Sequence, residues 1–161
     1  MIHARPAMQL DAGSMARLLN EIIKIGGTTA IVRPVTGDDI LQWMNFSPDR
    51  SAWHVALDEG EAVVGFQWIE PSDQLPDKAA EIATFVQVGQ TGLGIGSSLF
   101  KATALAAKSL GYGWIRANIR ADNEGGLTYY QSRGFSDYAI IEDYELADGT
   151  RVNKRLKRYD I

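Results

Sequence analysis

The stretch Glu81-Ile82-Ala83-Thr84-Phe85-Val86-Gln87-Val88-Gly89-Gln90-Thr91-Gly92-Leu93-Gly94-Ile95-Gly96-Ser97-Ser98-Leu99-Phe100 joins an alternating apolar run to an apolar helical run through a glycine-rich turn. Over 81–88 the alternation predicts a strand with Ile82, Thr84, Val86 and Val88 on one face. Over 95–110, Ile95, Leu99, Ala102, Ala106 and Leu110 form a helical stripe, and Gly111 ends it. A Gly-rich turn between a strand and a helix exposes successive backbone N–H groups at a helix N-terminus, which suits a phosphate or pyrophosphate. Two familiar phosphate motifs do not fit. Ser97 follows Gly96 with no lysine between them, so this is no P-loop. In the dinucleotide fingerprint Gly-x-Gly-x-x-Gly, the third glycine would fall on Ser97 or Leu99. A lone Gly-x-Gly is equally readable as a tight turn with no ligand.

Outward from this stretch the pattern stays mixed. Residues 2–5 read as a strand ended by Pro6. Met15, Leu18, Leu19, Ile22 and Ile23 repeat at helical spacing until Gly26-Gly27. Thr36, with Asp38 and Asp39 behind it, caps a short helix. Trp53, Val55 and Leu57 alternate, Asp58-Glu59-Gly60 turns, and 62–69 returns, which makes a hairpin. Ile115, Ala117 and Ile119 mark a further strand, and Asp122-Asn123-Glu124 opens a helix that Gly134 ends. Asp148-Gly149 is a two-residue hairpin turn that places Asp143 opposite Lys154 and Glu142 opposite Arg155. Cross-strand charge pairing then explains the basic run Lys154-Arg155-Lys157-Arg158. The expected order is strand, two helices, three strands, helix, strand, helix and two strands, in one α/β (α+β) domain over 1–161.

The chain has 161 residues, enough for one sizeable core. A net charge of −4 argues against nucleic acid or an anionic membrane as partner. With no cysteine there are no disulfides, thiolate metal sites or cysteine nucleophiles. His3 and His54 are isolated and lack metal-ligand spacing, so no metal is expected. The first six residues carry a basic residue and a proline, unlike a signal peptide, and no apolar run approaches a membrane span, so a cytoplasmic protein is expected.

The run from Glu81 through Phe100 resembles the acetyl-CoA motif of the GNAT superfamily of acyl-CoA N-acyltransferases, which ends Arg/Gln-x-x-Gly-x-Gly/Ala; Gly94 and Gly96 match its small positions. Downstream, Asn123-Glu124-Gly125-Gly126-Leu127-Thr128-Tyr129-Tyr130-Gln131-Ser132-Arg133-Gly134-Phe135 is similar to the Asn-x-x-Ala-x-x-Phe-Tyr-x-x-x-Gly-Phe pattern that closes the same site. Asn20-Glu21-Ile22-Ile23, Thr28-Thr29-Ala30 and Glu81 look most like the phosphinothricin/methionine sulfoximine acetyltransferase branch. Two positions depart. The Arg/Gln position falls on Thr91, with Gln90 one residue early, and the neighbouring basic position is Leu93. Pyrophosphate binding then leans on backbone N–H groups and the helix dipole.

The resemblance implies a mostly antiparallel sheet of about seven strands with helices on both faces, splayed between the fourth and fifth strands. It also implies acetyl-CoA as cosubstrate, with Phe85, Val86, Val88, Thr91, Gly92, Leu93, Gly94, Ile95, Gly96, Ser97 and Asn123 around it. Main-chain groups of Val86 and Val88 would pair with the pantetheine arm, and an N–H near Val86 would polarise the thioester carbonyl.

An amine attacks a thioester only when neutral, and the leaving thiolate needs a proton. Glu81 is the candidate base, through a water; an exposed glutamate at a strand start is the other reading. Tyr130 is the candidate acid, because a phenol matches a thiolate leaving group in basicity. A core tyrosine is the other reading, since Leu127 and Tyr130 share a helix face. Trp43 and Trp53 lie where the resemblance puts the acceptor pocket. The expected reaction is transfer of acetyl from acetyl-CoA to the primary amine of a small, amino-acid-like molecule, by direct attack in a ternary complex. The alternatives are an acyl-CoA-binding sensor and a protein or peptide N-acetyltransferase. The exposed tail hairpin offers an edge for a homodimer.

Overall fold

The elements follow in the expected order: β1 (His3–Pro6), α1 (Ala12–Ile25), α2 (Gly37–Met44), β2 (Ala52–Leu57), β3 (Val63–Glu70), β4 (Ala79–Val86), α3 (Ile95–Ser109), β5 (Trp114–Arg120), α4 (Glu124–Ser132), β6 (Ser136–Glu145) and β7 (Arg151–Asp160). The structure is a computed structural model and describes residues 1–90 and 93–161. The strands form one sheet in the order β1-β2-β3-β4-β5-β7-β6. Every neighbouring pair is antiparallel except β4 and β5.

Local chemistry sets the boundaries. Thr36 and Asp39 form a reciprocal cap on α2: Asp39 N–H donates to Thr36 Oγ1 at 3.1 Å, and Thr36 N–H donates to the Asp39 carboxylate at 2.8 Å. Strand alternation then divides the core between two faces. Trp53, Val55, Phe66 and Trp68 bury against Met15, Leu19 and Ile22 of α1 and Ile40 of α2. Ile82, Ile115 and Ala117 bury on the other face with Phe100 of α3 and Tyr130 of α4.

The parallel pair is short, and this positions the site. The β4–β5 ladder runs from Ala79 opposite Trp114 to Ile82 opposite Ala117 and stops there. β4 nevertheless continues to Val86 along β3, and β5 continues to Arg120 along β7. The two strands therefore part beyond Ile82, as expected. Gln87 N–H bonds the Val64 carbonyl at 2.9 Å, so the odd-numbered residues of this stretch bond β3. The even-numbered Thr84 and Val86 turn their backbone groups towards the gap that β5 has left. Val88 is exposed and lies beyond the end of β4.

The tail hairpin corrects its expected register. Lys154 faces Ile141, not Asp143, and Arg155 faces Ile140, not Glu142. Leu146 N–H bonds the Thr150 carbonyl at 2.7 Å, so the loop has three residues, Ala147, Asp148 and Gly149. Irregularities between Asp137 and Ala139 and between Ile141 and Tyr144 shift the pairing again. The basic run is therefore no uniform exposed row. Lys157 is 4% exposed and pairs with Asp137 at 2.7 Å. Arg158 pairs with Asp160, and Asp143 pairs with Arg151. Lys154 is 8% exposed and has no ion-pair partner among the described residues.

Candidate active site

The gap between β4 and β5 opens into a cleft of about 1220 Å³ that crosses the sheet. At one end stands the N-terminus of α3. Gly94 caps it with φ 82°, a left-handed conformation that favours glycine. The first helical bond runs from Ser98 N–H to the Gly94 carbonyl, at 3.0 Å. The N–H groups of Ile95, Gly96 and Ser97 therefore precede that bond and have no backbone acceptor among the described residues, an arrangement that suits an anion. Gly96 is required by close approach: a Cβ there would stand 2.5 Å from Tyr129 Cε1. Thr91 and Gly92, also expected at this site, lie outside the described residues. Leu93 is exposed.

A charged residue serves the turn from elsewhere in the chain. Arg133, at the C-cap of α4, donates to Ser97 Oγ at 2.8 Å. The sequence reading found no cation within the turn and missed this one. Its signal was Arg133 at the third position after Tyr130, one helical turn on. Asn123 caps α4 as expected, accepting from Gly126 N–H at 2.9 Å. Its Nδ2 donates to the Thr28 carbonyl at 2.9 Å, which ties α4 to the segment after α1.

On the α3/α4 face of the cleft, a hydrogen-bonded chain links the turn to Tyr130. The Tyr129 hydroxyl donates to the Gly96 carbonyl at 2.8 Å. Gln67, fully buried on β3, donates to the Tyr129 oxygen at 3.0 Å and to Thr84 Oγ1 at 2.8 Å. Thr84 Oγ1 lies 2.7 Å from the Tyr130 hydroxyl. Burial pushes Tyr129 up to about 12, and it raises Tyr130 strongly as well. Both phenols thus hold their protons at neutral pH. Tyr130 packs in the core against Phe135 and also lines the cleft.

On the opposite face, Glu81 stands one residue before the strands part. Arg116 Nε donates to Glu81 Oε2 at 2.5 Å and its Nη2 donates to Gln74. Oε1 of Glu81 has no hydrogen-bond partner among the described residues. Burial raises the Glu81 carboxyl above the ordinary carboxylate range, against the pull of Arg116 and Lys154. Glu70 sits directly opposite Glu81 across the β3–β4 ladder and is raised by burial too. The sequence reading ended β3 one residue short of it.

Trp68 Nε1 donates to Glu70 at 2.5 Å. Trp43, Phe46, Trp68 and Glu70 line a second, smaller hollow of about 440 Å³ beside the cleft. Trp43, and not Trp53, borders an opening. Trp53 is buried, with its ring stacked 4.1 Å from that of Trp68.

The sequence model of the Acetyltransferase (GNAT) family matches residues 17–135. This chain belongs to the GNAT acetyltransferase family. A curated relative from Bacillus subtilis (strain 168), named "Putative phosphinothricin acetyltransferase YwnH", is 26% identical over 159 residues, covering 98% of this chain and 93% of its own. Two solved structures share the GNAT fold. A phosphinothricin acetyltransferase from Sinorhizobium meliloti, in complex with AcCoA, superposes with a TM-score of 0.88 at 18% identity, over 99% of this chain and 88% of that one. A ribosomal-protein-alanine N-acetyltransferase from Brucella melitensis gives 0.88 at 20% identity, over 98% and 99%.

The GNAT cleft of this chain fits acetyl-CoA on its own observations. Three N–H groups at the start of α3, without a backbone acceptor among the described residues, and Arg133 suit a pyrophosphate. The unpaired edge of β4 at Thr84 and Val86 suits an extended arm that adds as a strand. No helix among the described residues is long and apolar enough to cross a membrane.

Proposed function

We propose that this GNAT protein moves an acetyl group from acetyl-CoA to the primary amine of a small, amino-acid-like acceptor, by direct attack in a ternary complex. The observation that carries the reading is the placement of Glu81 and Tyr130 on opposite faces of one gap in the sheet. A base on one face and an acid on the other match an amine arriving from one side and a thiol leaving on the other. Acetyl-CoA supplies the activated thioester. Val86 N–H, turned into the gap, is aimed to polarise the thioester carbonyl. Glu81 takes the amine proton through a water at its unbonded Oε1, and its raised carboxyl makes it a better base. Tyr130 gives its proton to the departing sulfur, and Thr84 can donate to the phenolate oxygen that remains.

Backbone groups, Glu81 and Tyr130 contribute most by orientation. The small hollow at Trp43 and Glu70 supports a small acceptor entering on the α1/α2 face. The open edge of β6, a strand that exposes Tyr138, Ile140 and Tyr144, is the surface for a homodimer.

The test is release of CoA thiol from acetyl-CoA against amino acids, polyamines and peptides, read with a thiol-reactive dye. The chain has no cysteine to interfere. Release with small amines alone is expected. Saturable acetyl-CoA binding with no release from any amine would replace the enzyme by a sensor. Release with peptides alone would replace the small acceptor.

A further inference from the structure

The α1/α2 face of the cleft carries five charged side chains that sequence reasoning did not group: Glu70, Glu81, Arg120 and Lys154 at its wall, and Arg116, bonded to Glu81. Glu70 accepts from Trp68 Nε1, and three of the others have ionic partners. Arg116 bonds Glu81 at 2.5 Å, and Arg120 bonds Asp122 at 2.8 Å and the Thr29 carbonyl at 3.0 Å. Lys154 has neither an ion pair nor a hydrogen bond among the described residues, although it is 8% exposed and lines the cleft. Its ammonium stands 3.6 Å from the centre of the Tyr144 ring. That ring covers one side of the cation and supplies no acceptor for its three N–H donors. The Lys154 side chain is buried along most of its length, and its ammonium meets the cleft without an anion bonded to it; a largely desolvated cation of this kind gains from a partner.

A second orphan lies beside it. Asn118 Oδ1 is buried without a partner among the described residues, and Asn118 also lines the cleft. The register explains why the two meet. Asn118 and Arg120 alternate onto one face of β5, and Lys154 of β7 is the cross-strand partner of Arg120. Lys154 and Asn118 are therefore diagonal neighbours on one face, within reach of each other's ligand. Glu81 borders the same space, and Lys154 acts on its charge. A carboxylate, a cation and a free carbonyl oxygen thus converge on one side of the gap. They complement a molecule that carries an amine and an anion a few ångströms apart.

We propose that Lys154 and Asn118 form an anion-and-amine subsite that selects acceptors bearing a carboxylate or similar monoanion next to the acetylated amine. Lys154 takes the anion. Asn118 Oδ1 accepts a hydrogen bond from the amine and turns it towards Glu81. The inference rests on the acetyltransferase reading above and adds to it the residues that choose the acceptor. Lys154 is a specificity residue here: it holds the acceptor and moves no proton.

The experiment pairs each of several L-amino acids with its amide, which keeps the amine and removes the anion. The proteins are the intact chain and its Lys154→Met and Lys154→Arg variants. For the intact chain, kcat/KM for the acid is expected to exceed that for the amide by at least about tenfold, a ratio one charge-assisted contact supplies. Lys154→Met should collapse that ratio towards one through KM, with kcat falling less. Lys154→Arg should keep most of it.

The melting temperature of Lys154→Met should equal or exceed that of the intact chain, because a partly desolvated charge without an ion pair has been removed. A purely structural lysine would instead lower it. A calorimetric titration of N-acetyl amino acids against N-acetyl amino acid amides, in the presence of CoA, reads the subsite without turnover. Should no amine be acetylated, the acetyltransferase reading fails, and acid-selective binding lost in Lys154→Met still supports the subsite. Equal binding and equal kcat/KM for acids and amides, or equal losses on both in Lys154→Met, overturns it.

Discussion

Thr84 Oγ1 and the Tyr130 hydroxyl lie 2.7 Å apart, and Thr84 already accepts a hydrogen bond from the fully buried Gln67. If Tyr130 donated to Thr84, the threonine proton would have no acceptor among the described residues. If Thr84 donates to Tyr130, the phenol O–H is free to face the cleft. Each arrangement leaves one hydroxyl proton without an acceptor among the described residues; the second leaves it on Tyr130, where the proposed acid needs it. Tyr130→Phe should therefore lower kcat by roughly 10²-fold, the usual scale of a lost general acid. KM for acetyl-CoA should stay within a few-fold. Thr84→Val should lower kcat less, and Thr84→Ser should restore it. Steady-state kinetics on the three variants checks this, and a Thr84→Val enzyme as fast as the parent would remove Thr84 from the relay.

As the proposed base, Glu81 should set the pH dependence. Its carboxyl is raised by burial and must be ionised to accept a proton, so kcat/KM should fall on the acid side with an apparent pKa above that of an ordinary glutamate. Arg116 pulls in the other direction, through its bond to Oε2. Arg116→Met removes that pull, and the acid limb should move to higher pH. Glu81→Gln should lose roughly 10²-fold in kcat and abolish the limb. A pH–rate profile of Glu81→Gln that keeps the parent's acid limb would assign the titration to another group, with Glu70 the first to examine.

Much of this was legible in the sequence for a physical reason. The strand–turn–helix at 81–100 and the capped helix at 123–132 are local patterns, fixed by alternation, glycine and capping chemistry. They delivered the element order and the positions of Glu81, Tyr130 and Asn123; the parted strands were implied only by the family resemblance. What escaped depends on register and on distant strands. Gln67 meets Thr84 only because β3 and β4 pair with those residues opposite each other. Lys154 lost its expected partner Asp143 because the β6–β7 hairpin has a three-residue loop and an irregularity between Ile141 and Tyr144, where the Asp148-Gly149 pattern suggested a simple two-residue turn. Each moves the pairing by one residue, and nothing local to Lys154 signals either. Arg133 escaped because the turn it serves lies 36 residues away.

Gly96 tests the turn itself. An alanine Cβ would sit 2.5 Å from Tyr129 Cε1, too close for the ring to remain. Displacing Tyr129 breaks its bond to the Gly96 carbonyl and its bond from Gln67. Gly96→Ala should therefore cost about 1–3 kcal/mol of stability, the range for overpacking a filled site. It should also raise KM for acetyl-CoA. Chemical denaturation and acetyl-CoA kinetics check both effects.

Arg133 tests which part of the cosubstrate the turn holds. It stands at Ser97 Oγ, beside the ladder-free N–H groups of α3, and is the cation that the turn lacks in its described residues. Hydrogen bonds to an ionised group contribute about 1.5–3 kcal/mol. Arg133→Ala should then raise KM for acetyl-CoA by roughly 10- to 100-fold. The loss should be smaller when acetyl-pantetheine, which has no pyrophosphate, replaces acetyl-CoA. It should also shrink as salt concentration rises, because the parent enzyme loses the same screened attraction. Equal losses on the two thioesters would show that Arg133 holds α4 in place through Ser97 and does not meet the pyrophosphate.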